Sequence, residues 1–297
     1  MKAARVPDGS HRQHDWTTPI ELVALGAIWG SSFLFMRVAA GDFGPLALVE
    51  LRLALGTLIL LPFLWRARRL VTAALAWRFA AVGALGSAIP FTLFAWGAER
   101  APAGIGAIAN SMTVLFTVLV AFVLWRERIG WSRGLAMLMG FAGVIVLMSG
   151  KTAGGDVAGA ALAGVAASFC YGFAANFTRR WFAAVPPLAA VAGTLGCAAL
   201  MTLPLAALNW PGAAIPAASW GSAIALGVIC TGVAYAFYFR LIQRVGAARA
   251  STSTYLIPVF GVFWGWLLLG EAPSASMLGA AALILASVVV AQRSRDS

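Results

Sequence analysis

The chain has 297 residues, of which 61% are apolar and 10% charged, with a formal net charge of +11. That balance excludes a soluble globular domain. Ten spans of roughly 20 residues each would occupy about two-thirds of the length and leave only short connections, with no separate soluble domain.

A polar segment, residues 1–15, precedes the first apolar run. That run is a full span without an A-x-A cleavage site, so it reads as an uncleaved signal anchor. The apolar pattern predicts helices at 17–39, 46–65, 78–98, 102–125, 132–149, 157–180, 187–208, 218–240, 248–269 and 274–292. The expected fold is all-α and integral to the membrane, a single domain over 1–297 with both termini cytoplasmic. In a soluble chain a surplus of cations points to nucleic acid; here its placement follows the positive-inside rule. With the N-terminus inside, Arg66, Arg68, Arg69 and Arg78, then Arg126, Arg128 and Arg133, then Arg179 and Arg180, then Arg240, Arg244 and Arg249 all fall on the cytoplasmic side. Outside falls only Arg100 and Lys151, while Arg37 and Arg52 lie within spans. A bacterial-type inner membrane is the expected location.

Cys170, Cys197 and Cys230 all lie in spans and read as small packing residues, not as a disulfide framework or a metal site. His11 and His14 sit in the polar tail. No metal motif, phosphate loop or nucleophile–base set falls within the spans, so neither an enzyme nor a bound cofactor is expected.

The second half repeats the first. Aligning Glu127 with Glu271 sets PAGIGAIANSMTVLFTVLVAFVLWRE against GAARASTSTYLIPVFGVFWGWLLLGE at an offset of 144. Ser87, Phe91 and Phe94 then match Thr231, Tyr235 and Tyr238. Further back the offset drifts to about 140, so Trp29, Phe33 and Met36 match Phe169, Phe173 and Asn176. Matching loops carry opposite charge: 66–78 is Arg-rich and 209–217 has none, and 126–133 holds three Arg where 270–274 holds only Glu271. Repeat 1 (about 17–149) and repeat 2 (about 157–292) are therefore expected to be inverted five-helix units around a central cavity.

AIWGSSFLFMRVA in the first helix, ERAPAGIGAIANSMTVLFTVLVAFVLWRERI across the fourth and GAARASTSTYLIPVFGVFWGWLLLGE in the ninth resemble the EamA-type transporters of the drug/metabolite transporter superfamily. The resemblance spans nearly the whole chain. It is closest to the amino-acid and metabolite exporters, aromatic amino-acid exporters included. It implies a basket built from the first four helices of each repeat, with the fifth and tenth helices at the periphery.

Buried polar groups in a membrane are costly unless paired or lining water, so polar and aromatic residues on common faces mark a cavity wall. Trp29, Ser32, Phe33 and Met36 share one face, as do Phe173 and Asn176 in the matching helix. Thr231, Tyr235 and Tyr238 face Ser87, Phe91 and Phe94. Asn110 and Thr254 are repeat partners. The expected substrate-binding residues are Trp29, Ser32, Phe33, Phe91, Asn110, Phe173, Asn176, Tyr235, Tyr238 and Thr254. Bland readings stand beside these: Ser and Thr bond their own helix, Asn joins helices, and spacings such as Gly26/Gly30 and Gly261/Gly265 permit close approach. Arg37 and Glu50 are expected to pair near the outer membrane face, either as a structural ion pair or as an outer gate, with Arg52 snorkelling outward.

The leading expectation is a carrier that exports amino acids and related small metabolites by alternating access, facilitated rather than proton-driven, and sufficient as a monomer. The preference for aromatic or neutral amino acids comes from the resemblance. The alternative is a proton-coupled drug or cation exporter, which would require Glu50. A lipid- or nucleotide-sugar-handling carrier would need cations in the cavity for phosphate, and Arg37 and Arg52 are expected too far outward to serve.

Overall fold

The computed structural model describes residues 17–127, 129–150 and 155–293. The expectations for the N-terminal tail with His11 and His14, for Arg128, for Lys151 and for the last residues lie outside them. Among the described residues every regular element is helical.

We number the helices α1 (Thr17–Arg66), α2 (Ala73–Arg100), α3 (Ala103–Trp125), α4 (Trp131–Met148), α5 (Val157–Trp181), α6 (Pro187–Leu208), α7 (Ala217–Val245), α8 (Ser251–Leu269) and α9 (Ala275–Arg293). Among the described residues eight of these, α1 to α8, are long and apolar enough to cross a membrane, and the apolar part of α9, Ala275–Ala291, is slightly shorter. The outer surface is apolar, with Leu58, Leu138, Ile145, Leu200, Leu208 and Leu268 all exposed. Such a surface is stable against lipid, not water. The chain is a multi-pass membrane protein.

At 50 residues, α1 would run for about 75 Å, far beyond a hydrocarbon core of about 30 Å. It is broken at Gly44, where φ is +72° and ψ 158°. Glycine reaches that conformation readily and other residues do not. Pro45 then restarts the helix. The stretch expected as two spans is thus a single helix interrupted at one non-helical residue.

Small residues set how the helices meet. A Cβ on Gly30 would lie 2.5 Å from Phe260 Cβ, and one on Gly261 would lie 2.3 Å from Ala107 Cβ, so α1, α3 and α8 touch through glycine. A Cβ on Gly172 would lie 2.8 Å from the Phe116 backbone, bringing α5 equally close to α3. Gly227 admits Leu55, joining α7 to the second part of α1, and Gly83 meets the backbone of Thr194, joining α2 to α6. Helix α4 packs on α9 through Gly140, close to Ser287, and Gly143, close to Ile284. The resemblance implied a peripheral place for these two helices.

Irregularities recur at the same spacing. A π-helical turn occupies Ala84–Ala88 in α2 and another Val228–Val233 in α7. Helix α3 loosens at Ser111–Met112 after Asn110, and α8 opens as a 3-10 helix over Ser251–Leu256. Left-handed residues, Arg126 and Gly270, end α3 and α8.

Candidate substrate cavity

Helices α1, α2, α3, α5, α7 and α8 enclose a cavity of about 210 Å³. A buried water needs roughly 10–15 Å³ on the same scale, so the space admits a small solute. Eight of the ten expected binding residues line it: Trp29, Ser32, Phe33, Phe91, Asn110, Tyr235, Tyr238 and Thr254. The Trp29 ring packs edge-on against Tyr238 at 5.1 Å and Tyr235 at 6.2 Å, and Phe33 packs edge-on against Phe94 at 5.3 Å. The Tyr238 hydroxyl lies 3.2 Å from that of Ser251. Thr254 bonds a carbonyl of its own helix, as the bland reading anticipated, and Ser251 bonds that of Ala247 in the turn just before it. The Asn110 amide and the Tyr235 hydroxyl make no hydrogen bond among the described residues, which leaves them for a ligand.

Phe173 and Asn176 do not reach the cavity. Phe173 packs edge-on against Phe169 and lies tilted against Phe177. Asn176 is buried between α5 and α3, where its amide donates to the carbonyls of Thr117 and Gly172, each at 2.9 Å. The cause is register. Gly30 rests on Phe260 and Gly172 on Phe116, so these helices match at an offset of 142 rather than 140. Two residues rotate a helix face by about 200°, which turns the expected wall away. At the corrected register Tyr171 stands opposite Trp29, and Tyr171 does line the cavity.

Arg52 is the larger correction. It does not snorkel outward but lines the cavity at 7% exposure. Its Nε donates to Thr231 Oγ1 at 3.1 Å, one terminal nitrogen meets Met36 Sδ at 3.8 Å, and its guanidinium lies 3.7 Å above the Phe91 ring centre. Thr231 in turn donates to the carbonyl of Leu226, five residues back, a reach made within the π turn. No carboxylate lies within ion-pair distance of Arg52 among the described residues, and none lines the cavity. Burying an ion without a counter-charge costs several kcal/mol or more.

The expected Arg37–Glu50 pair is absent. Glu50 is buried against α6, where Thr202 Oγ1 lies 2.6 Å from Glu50 Oε2. Arg37 binds Glu271 instead, at 2.8 Å, and donates to the carbonyls of Ala98 at 2.8 Å and Glu99 at 3.2 Å. The other Glu271 oxygen accepts from the Ala103 N–H at 2.8 Å. One ion pair therefore gathers the end of α2, the start of α3, α1 and α8, with each charge facing the helix terminus that favours it. Between this clamp and the cavity, Phe33 and Phe94 leave a void of about 10 Å³ lined by Ala98 and Ala103. At the opposite, Arg-rich end, Glu127 accepts from Arg179 at 2.7 Å and Arg180 at 2.8 Å. Burial raises the Glu127 carboxyl, but hydrogen bonds and charge from the two arginines outweigh it and hold the group below the ordinary range.

An all-helical membrane basket enclosing an aromatic cavity defines a small-solute carrier. The EamA-like transporter family profile matches residues 19–149 and again 158–292, and the chain belongs to that family. It is a membrane transporter, not an enzyme. A probable terminal-alkyne amino-acid exporter of Streptantibioticus cattleyicolor is 28% identical over 92% of both chains. The uncharacterized inner membrane transporter YedA of Escherichia coli K12 is 27% identical, covering 91% of this chain and 88% of that one. A crystal structure at 21% identity shares the fold with a TM-score of 0.65, over 95% of this chain and 99% of the other.

Proposed function

We propose that the protein exports amino acids and related small metabolites from the cytoplasm by alternating access, as a monomer. The observation that carries this is the cavity: aromatic walls for an apolar side chain, with one guanidinium and unbonded polar groups for the charged end. The amino-acid exporter among the relatives supports the same class. In this reading ten spans form two inverted five-helix units, with α1 contributing two spans divided at Gly44 and α9 the tenth. Both termini are cytoplasmic, and the Arg-rich end faces inward.

The twice-matched family profile supports the repeat, as do the π turns that begin 144 residues apart. So do the two ion pairs, since Glu271 follows Glu127 by 144 residues and Arg179 follows Arg37 by 142. Transport by two alternating conformations would make and break these clamps in turn. Glu50 bonds Thr202 away from the cavity, which favours facilitated over proton-driven movement. Counterflow of labelled phenylalanine in proteoliposomes, with and without a pH gradient, is the test. Counterflow independent of the gradient is expected; none with any amino acid would defeat the reading.

A further inference from the structure

The buried Arg52 guanidinium contacts Thr231, Met36 and Phe91, and no carboxylate among the described residues pairs with it. It is the only charged group among the residues lining the cavity. Its attachment is specific: Thr231, held by the Leu226 carbonyl, takes Nε, and the Phe91 face takes one side of the plane. These contacts fix the fork, one terminal nitrogen meets Met36 Sδ, and the side chain lines the cavity, where its remaining N–H donors are of the kind that carboxylates engage. The repeat-equivalent stretch of α6, around Thr194 to Gly196, holds no cation, so the charge is on one wall only. The same lining holds the rings of Trp29 and Tyr238 and the Asn110 amide.

We propose that Arg52 is the anion-recognition residue of the cavity and that the transported solute must carry a free carboxylate, its amine being dispensable. The proposal rests on the reading of the cavity as a transport site and sharpens it. A carboxylate on Arg52 supplies the missing counter-charge. With no acidic side chain in the lining, an ammonium is met only by ring faces and neutral dipoles, which bind it weakly when the site is open to water. Organic acids with an apolar body therefore bind as well as the corresponding amino acids. The corresponding amines do not.

The test uses the purified full chain and titration calorimetry with four probes that share a phenyl group: phenylalanine, 3-phenylpropanoate, phenethylamine and phenyl phosphate. Phenylalanine and 3-phenylpropanoate are expected to bind within about threefold of each other, and phenethylamine at least tenfold more weakly. Arg52→Gln is expected to weaken both carboxylates by tenfold or more without changing the phenethylamine result, and Arg52→Lys to recover part of the loss. Thr231→Val, which leaves the guanidinium but frees its orientation, is expected to fall between. Phenethylamine binding as tightly as phenylalanine overturns the proposal on the wild-type protein alone, whatever the variants' folding. So does unchanged carboxylate affinity in Arg52→Gln, or preference for phenyl phosphate over both carboxylates. Binding of 3-phenylpropanoate without phenylalanine defeats the amino-acid reading and leaves the carboxylate proposal standing. Binding of phenylalanine that ignores Arg52 does the reverse.

Discussion

Arg37 and Glu271 lie 234 residues apart in the chain and meet at 2.8 Å, tying the first helix to the eighth at the Arg-poor end. At the other end Arg179 and Glu127 meet at 2.7 Å and tie the fifth helix to the third. The clamps differ in reach. Glu271 also caps the Ala103 N–H, and Arg37 also holds the carbonyls of Ala98 and Glu99. Glu127 holds only arginines.

The more extensive clamp is expected to keep the Arg-poor end shut. Glu271→Gln weakens it, so Cys230 in the cavity becomes reachable from that side. In a Cys170→Ala, Cys197→Ala background, labelling of Cys230 by a membrane-impermeant maleimide applied to the Arg-poor face should rise several-fold in Glu271→Gln. Glu127→Gln should leave that rate unchanged. Equal rates in all three proteins would remove the clamp's gating role.

Glu127 makes the Arg-rich clamp sensitive to acid. Its carboxyl titrates below the ordinary value of 4.5 in the folded protein because Arg180 and Arg179 favour its charged form. A depressed folded value means stabilisation that is full above the ordinary value and lost as pH falls through the folded one. The groups are about half exposed, so the effect is at most about 1 kcal/mol. Thermal unfolding should show the wild type losing its advantage over Glu127→Gln as pH drops below 4.5, with the two curves parallel above it.

Glu50 separates facilitated from proton-coupled transport. The Glu50→Gln side chain retains an oxygen for Thr202 and loses the titratable proton. Transport by this variant is expected to match the wild type at every pH between 5.5 and about 8, a window spanning the usual range of coupled carboxylates. A lost response to an imposed pH gradient would instead assign Glu50 to coupling.

The aromatic wall has its own test. Trp29 contacts both Tyr235 and Tyr238, and truncating it removes ring packing worth about 0.5–1.5 kcal/mol beyond its area. Trp29→Ala should raise the apparent Kd for phenylalanine by about threefold to tenfold, while glycine, lacking a ring, should show little change. Competition in the counterflow assay measures both.

Gly44 tests the break in α1. An added Cβ there meets no atom within 4 Å. Gly44→Ala therefore isolates the backbone conformation, and about 1–3 kcal/mol of destabilisation is expected. Gly41→Ala is also open to its surroundings and has no positive φ. It should change stability far less, and detergent-solubilised thermal melts decide between them.

Much of this architecture is legible in the sequence because lipid demands it. Charge-free runs locate the apolar helices, and aligning Glu127 with Glu271 matches the segment of α3 to that of α8. The register of α5 was not legible. FCYGFAANF offers small and aromatic residues at nearly every position, so an offset of 140 matches about as well as 142, and only the Gly30–Phe260 and Gly172–Phe116 contacts choose between them. Arg52 departs from the snorkelling expectation for a different reason, and the informative clue is its neighbour. Residues two apart point about 200° from each other on a helix, so Glu50 and Arg52 cannot share a face. With Glu50 turned to Thr202, Arg52 must turn toward Thr231. The Arg37–Glu50 expectation failed because nearness to one membrane face does not specify which helices are neighbours.

The two π turns also carry a history. A π turn accommodates one residue more than the α-helical turn it replaces, so each marks an insertion of a single amino acid. Their first residues, Ala84 and Val228, are 144 positions apart, the same spacing that relates Glu127 to Glu271. Two separate insertions would have to strike matching codons in each half. One insertion in an ancestral unit, copied when that unit doubled, would account for both, in keeping with the family profile that matches each half. The turn in α7 carries Thr231, which holds Arg52, while the matching stretch of the other half holds no cation, so a shared backbone irregularity serves two chemically unlike walls.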